Sequence, residues 1–114
     1  MPAIQPAATY TRDEDYAIRK PYWYRRDGSE ACAHAEAVLR ELEGAQDTLL
    51  FASGMSAATA VIEQLPTGSH VVAPKVMYHG VRMQLLAYDR NGRITLSSYT
   101  AGNIDELRSA VRPG

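Results

Sequence analysis

The sequence has one cysteine, no apolar run long enough to cross a bilayer and almost no net charge. Each shortage removes a class of protein. Cys32 alone cannot close an internal disulfide, which argues against a disulfide-stapled secreted scaffold and points to the reducing cytoplasm. No segment approaches the roughly 20 apolar residues of a membrane span, and Met1-Pro2-Ala3 lacks the basic start and apolar core of a secretory signal. A formal charge of -1 over 114 residues gives no electrostatic case for nucleic acid or an anionic membrane as a partner. Histidine is scarce as well. With only His70 and His79 left to complete it, Cys32-Ala33-His34 reads as a solvated or packed helix pair, not a metal site.

What remains, 46% hydrophobic and 22% charged, suits a soluble α/β domain. Residues 1–28 hold three of the six prolines and show no sustained period, so they are expected to form an extended arm, with the folded domain over 29–114. Ser29 can cap a helix whose apolar face is Ala35, Val38, Leu39 and Leu42, with Glu36, Arg40 and Glu43 outward and Gly44 as the stop. A buried strand is predicted at 48–52, then a helix at about 55–65 with Ala58, Val61, Ile62 and Leu65 on its apolar face. A strand at about 70–73, a helix at 78–89, an Asn91-Gly92 turn and a strand from Arg93 to Tyr99 follow. Asn103 and Glu106 have capping-box spacing for a last helix that buries Leu107 and Val111. Alternation of this kind predicts a mainly parallel sheet with helices on its faces.

The chemistry concentrates where the run Thr48-Leu49-Leu50-Phe51-Ala52 meets Ser53-Gly54-Met55-Ser56. A strand passing through a glycine turn into a helix presents backbone N–H groups with no intrahelical acceptor at the positive end of a dipole, which suits an anion such as phosphate. The same residues also serve as a plain helix cap with no ligand.

Around this segment stand Tyr24-Arg25-Arg26-Asp27-Gly28, Leu42-Glu43-Gly44, His70-Val71-Val72-Ala73-Pro74 and Tyr78-His79-Gly80, with Pro6-Ala7-Ala8-Thr9-Tyr10-Thr11-Arg12-Asp13 as a lead-in. The ordered set resembles the N-terminal part of the Cys/Met-metabolism, or trans-sulfuration, enzymes that use pyridoxal 5'-phosphate. The resemblance implies part of an aspartate-aminotransferase-like fold. It also implies an amino-acid substrate of the cystathionine or O-activated homoserine type, processed by elimination or replacement at the γ or β carbon. By the same resemblance the backbone of Gly54 and Met55 cradles the cofactor phosphate, with Ser53 as a further candidate that also suits a cap. Tyr78 matches the catalytic tyrosine that stacks on the pyridine ring and helps proton transfer, although a tyrosine after a strand also serves as rim packing. Tyr24 and Arg26 match a Tyr-x-Arg pair that reaches the phosphate of the neighbouring subunit in a homo-oligomer, and both are apt phosphate donors. A surface-covering arm is the plainer reading of that pair.

Two departures stand out. Ser29-Glu30-Ala31 replaces the family's usual Asn-Pro-Thr, and Tyr78-His79-Gly80-Val81 replaces Tyr-Gly-Gly-Thr or Tyr-Gly-Cys-Thr. Glycine at position 80 argues against a methionine γ-lyase type, and His79 suits either a substrate contact or a surface position. Lys20 and Lys75, the two lysines of the chain, lack the family's Ser-x-x-Lys setting, and Lys75 reads as a solvated residue at a strand end. With Arg112-Pro113-Gly114 falling where another strand would follow, the sequence reads as a truncated, incomplete sheet, inactive by itself. The alternative is a noncatalytic oligomerisation or phosphate-binding module.

Overall fold

Local capping chemistry sets the first helix. Ser29, in extended backbone conformation, is 4% exposed and its Oγ accepts from Cys32 N at 3.2 Å, which starts α1 (Glu30–Glu43). Gly44 ends it in the left-handed region at φ 60°, with its N–H donated to Glu41 O and that of Ala45 to Arg40 O, the double return bond of a Schellman stop. The structure is a computed structural model that describes Ile4, Pro6, residues 8–19 and residues 21–112. Met1, Pro2, Ala3, Gln5, Ala7 and Lys20 of the predicted arm, and the final Pro113 and Gly114, lie outside the described residues.

The chain divides into two units, Met1–Leu50 and Phe51–Gly114. In the first, the arm doubles back instead of running out in one direction. Tyr10 N donates to Trp23 O and Arg25 N to Ala8 O, around the antiparallel bridge Thr9–Tyr24. The tip beyond the Arg12–Ile18 bridge is closed by Asp13, whose Oδ1 accepts from Asp15 N and Ala17 N, while Tyr16 takes φ 63°.

The predicted face of α1 is less covered than its periodicity suggests. Ala35 is half-buried, but Val38, Leu39 and Leu42 are exposed. Glu36, expected to face outward, instead accepts from Leu50 N at 2.9 Å through Oε1. The strand expected at 48–52 does not form. An apolar run becomes a strand only when a neighbour pairs with it, and here Leu50 N is satisfied by a carboxylate and Thr48 N by Asp47 Oδ1, leaving Leu49, Leu50 and Phe51 exposed.

The second unit is built as α2 (Gly54–Glu63), β1 (Ser69–Pro74), α3 (His79–Arg90), β2 (Ile94–Tyr99) and α4 (Ile104–Ala110). β1 and β2 pair in parallel, from Ser69 opposite Ile94 to Pro74 opposite Tyr99, with α3 as the crossover. Ile62, Ala73, Leu85 and Ile94 form the buried core, one from each of α2, β1, α3 and β2, with Leu65, Val71, Met77, Val81, Tyr88 and Leu96 packed around it. The turn at Asn91-Gly92 forms as expected, Gly92 at φ 77° and Arg93 N donating to Tyr88 O. Three apolar positions depart from expectation: Val61 of α2 and Val111 after α4 are exposed, and Leu107 is only half-buried. Periodicity identifies an apolar side without supplying the element that covers it. Among the described residues no helix is long and apolar enough to cross a membrane.

Candidate cofactor site

The helix start at Ser53 is built as a cap with two donors left over. Ser53 Oγ accepts from Ser56 N at 3.1 Å and lies 2.9 Å from Ser56 Oγ, while Ala57 N returns to Ser53 O. The side chain of Ser53 is therefore occupied in starting α2. Gly54 N and Met55 N, the first two helical donors, find no acceptor among the described residues, as their position in the first turn dictates. A Cβ at Gly54 would meet nothing within 4 Å, so packing does not require glycine there. The absent side chain leaves room beside two free N–H groups at the positive end of a ten-residue helix.

Tyr78 stands next to this room. It is the N-cap residue of α3, makes no side-chain cap bond and is 69% exposed, so its ring face and hydroxyl are accessible. A Cβ on Gly80 would lie 3.0 Å from Met55 Sδ and 3.0 Å from Tyr78 Cε1. That single point joins the starts of α2 and α3 beyond the carboxyl end of β1, the place where α/β sheets bind ligands. It also explains Gly80, since any side chain would push the tyrosine ring or the thioether aside.

Tyr24 and Arg26 are brought together in the first unit. Arg26 Nη2 donates to Tyr24 Oη at 3.0 Å, and the guanidinium carbon lies 5.0 Å from the ring centroid, a cation–π arrangement. Both are held at the start of a turn, with Asp27 N and Gly28 N donating to Tyr24 O. His79 is exposed at the first position of α3. Cys32 and His34 are exposed on α1, and among the described residues no three His, Cys, Asp or Glu side chains converge as a metal site would need.

Two features escaped sequence reasoning. Gly80 is read in the sequence only as part of the Tyr78-His79-Gly80 segment, and its packing role follows from the approach of Met55. Lys75, expected to be solvated, is instead paired: its Nζ lies 2.5 Å from Glu106 Oε1 and donates to Thr100 Oγ1 at 3.3 Å. The capping-box spacing of Asn103 and Glu106 is half used, because Glu106 N donates to Asn103 Oδ1 but the Glu106 carboxylate goes to Lys75 and to Thr100 N. These bonds hold the Glu106 carboxyl at about 2, below its ordinary 4.5, with Lys75 as the largest cause and Thr100 next.

Free N–H donors, room beside a glycine and an accessible phenol ring fit a phosphate ester carried on an aromatic ring. Comparison with known proteins gives the same chemistry. The family of Cys/Met metabolism PLP-dependent enzymes matches residues 1–114. A cystathionine beta-lyase of Coxiella burnetii is 32% identical over 112 residues, covering 97% of this chain and 29% of the relative. A cystathionine gamma-lyase of Bacillus subtilis is 32% identical over 93 residues, covering 81% of this chain and 24% of the relative. The crystal structure of cystathionine gamma synthase from Xanthomonas oryzae pv. oryzae in complex with cystathionine superposes with a TM-score of 0.82 at 24% identity, over 96% of this chain and 28% of that one. The α/β fold is thus the fold of the PLP-dependent trans-sulfuration enzymes, of which this chain spans an N-terminal part under a third of their length. The whole-length match to the family makes this chain a member of the Cys/Met metabolism family of pyridoxal-phosphate-dependent enzymes.

Proposed function

We propose that these residues form the phosphate cradle and ring platform of a pyridoxal-phosphate-dependent trans-sulfuration enzyme acting on an amino acid of the cystathionine or O-activated homoserine type. The observation that carries the reading is the pair of unpartnered donors, Gly54 N and Met55 N, opening on empty space at the end of the sheet where Tyr78 is exposed. When bound, the cofactor supplies an electron sink for negative charge beside the substrate amine. The chain's own part is to bind and orient. Gly54 and Met55 donate backbone hydrogen bonds to the phosphate, and Ser53 acts through the cap that aims them. Tyr78 lies against the ring and holds a proton at its Oη for transfer at the substrate carbon undergoing elimination or replacement. Tyr24 and Arg26 donate to the phosphate of the neighbouring subunit in a homo-oligomer; their mutual hydrogen bond pre-orients the pair for that role. The free Cys32 agrees with a cytoplasmic protein.

The test is phosphorus NMR of pyridoxal 5'-phosphate titrated with the chain. The phosphorus signal is expected to shift and broaden, to respond less with Gly54→Ala, and to return to that of free cofactor with Gly54→Asp, whose carboxylate repels the anion. Thermal melts of the Gly54→Ala chain should match the wild type, because its Cβ enters open space. A phosphorus signal indifferent to the chain, or equally shifted by the Gly54→Asp variant, refutes the cradle.

A further inference from the structure

Tyr78 has an exposed ring and no side-chain bond of its own, so its position depends on the four-residue loop 75–78 that carries it. Of that loop, Met77 packs on the core and Val76 is 84% exposed. Its first residue, Lys75, is anchored by four hydrogen bonds at three atoms. Lys75 N donates to Tyr99 O at 2.8 Å, Nζ donates to Thr100 Oγ1 and Glu106 Oε1, and the carbonyl oxygen accepts from Arg82 Nε at 3.2 Å. Arg82 closes the loop, since its backbone N donates to Tyr78 O at 3.1 Å while its side chain holds Lys75 O. The other carboxylate oxygen of Glu106 accepts from Thr100 N at 2.7 Å, so one side chain of α4 fixes both the end of β2 and the lysine.

We infer that Lys75 and Glu106 form a latch between the β1–α3 loop and the first turn of α4 that sets the position of Tyr78, each as a positioning residue that touches neither cofactor nor substrate. Stability alone is a poor account of this pair. The two side chains are 53% and 30% exposed, and ion pairs so placed contribute little to folding because solvent screens them. What they do supply is a fixed distance between two strand ends, and the loop that depends on it carries the ring. The small energy of so exposed a pair and its place at the two strand ends therefore argue for geometry over stability.

The functional meaning of the latch rests on Tyr78 serving as the ring platform, but the latch is tested without cofactor. The 114-residue chain is labelled with 3-fluorotyrosine, and the fluorine signals of Tyr78 and Tyr88 are assigned through Tyr78→Phe and Tyr88→Phe. Lys75→Met and Glu106→Gln are each expected to shift or broaden the Tyr78 signal by more than its own linewidth, with Tyr88 unmoved and the melting temperature nearly unchanged. Lys75→Arg, which keeps a cationic donor, is expected to restore it. An unmoved Tyr78 signal in both single variants overturns the latch, as does an equal disturbance of Tyr88, which would mark general loosening. Should Glu106→Gln fail to fold, Lys75→Met and Thr100→Val decide the matter by the same signals. Adding pyridoxal 5'-phosphate to the wild type is a separate arm: a Tyr78 signal that ignores the cofactor sinks the platform reading and leaves the latch standing.

Discussion

The two ends of the β1–β2 pair use the same helices in opposite ways. At the amino end of β2, side chains of α2, α3 and β2 are joined in a run of hydrogen bonds, with the buried Arg93 Nε as the one group of that run left without a partner among the described residues. Arg93 Nη2 donates to Glu63 Oε2 at 2.8 Å and to Glu63 O at 3.1 Å, with its guanidinium 5.2 Å from the centroid of the Tyr88 ring. Tyr88 Oη donates to Glu63 Oε1, Gln84 Nε2 donates to Tyr88 Oη, and Thr59 Oγ1 donates to Gln84 Oε1. At the carboxyl end, the start of α2 leaves Gly54 N and Met55 N without acceptors among the described residues, and the start of α3 leaves the Tyr78 ring exposed. A shared network ties the helices to the sheet, and that leaves the opposite end able to keep donors open. A binding site needs such unsatisfied groups, which cost stability wherever they occur.

The largest effect should come from the part both ends share. Leu85, 3% exposed, shares the buried core with Ile62 of α2, Ala73 of β1 and Ile94 of β2. Leu85→Ala is expected to cost about 2–5 kcal/mol and to erase the contrast by unfolding both ends together. Denaturant titration followed by circular dichroism measures it.

Tyr88→Phe should instead injure one end only. It removes a donor to Glu63 and an acceptor for Gln84, a loss of about 1 kcal/mol per net hydrogen bond, or roughly 4–8 °C in melting temperature for a unit of this size. The phosphorus signal of added pyridoxal 5'-phosphate should respond as in the wild type. A loss of binding equal to the loss of stability would show that the two ends are not separable.

The carboxyl end has the complementary test. Ser53→Ala removes the cap of α2 and is expected to cost about 1 kcal/mol while weakening phosphate binding. Ser53→Asp keeps a capping oxygen and adds a negative charge, so it should hold stability and lose binding. Thermal melts and phosphorus NMR on both variants separate cap from cradle.

The smallest effect is on pH. The folded-state Glu106 carboxyl sits at about 2, below the ordinary 4.5, so its contribution is complete above pH 4.5 and is lost as the pH falls through about 2. Across that window the Tyr78 fluorine signal should drift toward that of the Glu106→Gln variant. Tyr88 should lag behind it. Drift of Tyr78 at neutral pH would point to a different group.

Much of this was legible because it is local. The caps at Ser29, Ser53 and Asn103 were assigned from residue type and spacing, and the strand–helix–strand unit from Val71-Val72, the 78–89 period and Ile94 with Leu96. What the sequence hid is non-local. The run at 48–52 has every strand signal except a neighbour to pair with, and Val38, Leu42, Val61 and Val111 lie on apolar sides that nothing among the described residues covers. Lys75 looked solvated because Glu106 stands 31 residues away. The candidate site divides along the same line: the helix start at Gly54 and Met55 is recognisable from a local turn, whereas the packing role of Gly80 needs the approach of Met55.

The parallel register has a kinetic consequence. Ser69 cannot meet Ile94, nor Pro74 meet Tyr99, until the whole of α3 has been laid across, so neither strand has a ladder partner on its own. β1, α3 and β2 should therefore open and close as one cooperative block, with slowly exchanging amides of nearly equal protection across Val71, Leu85 and Leu96. The Gly54 turn, held by a local cap, should exchange faster than that block, which places the proposed phosphate donors on a segment that opens more readily than the strands.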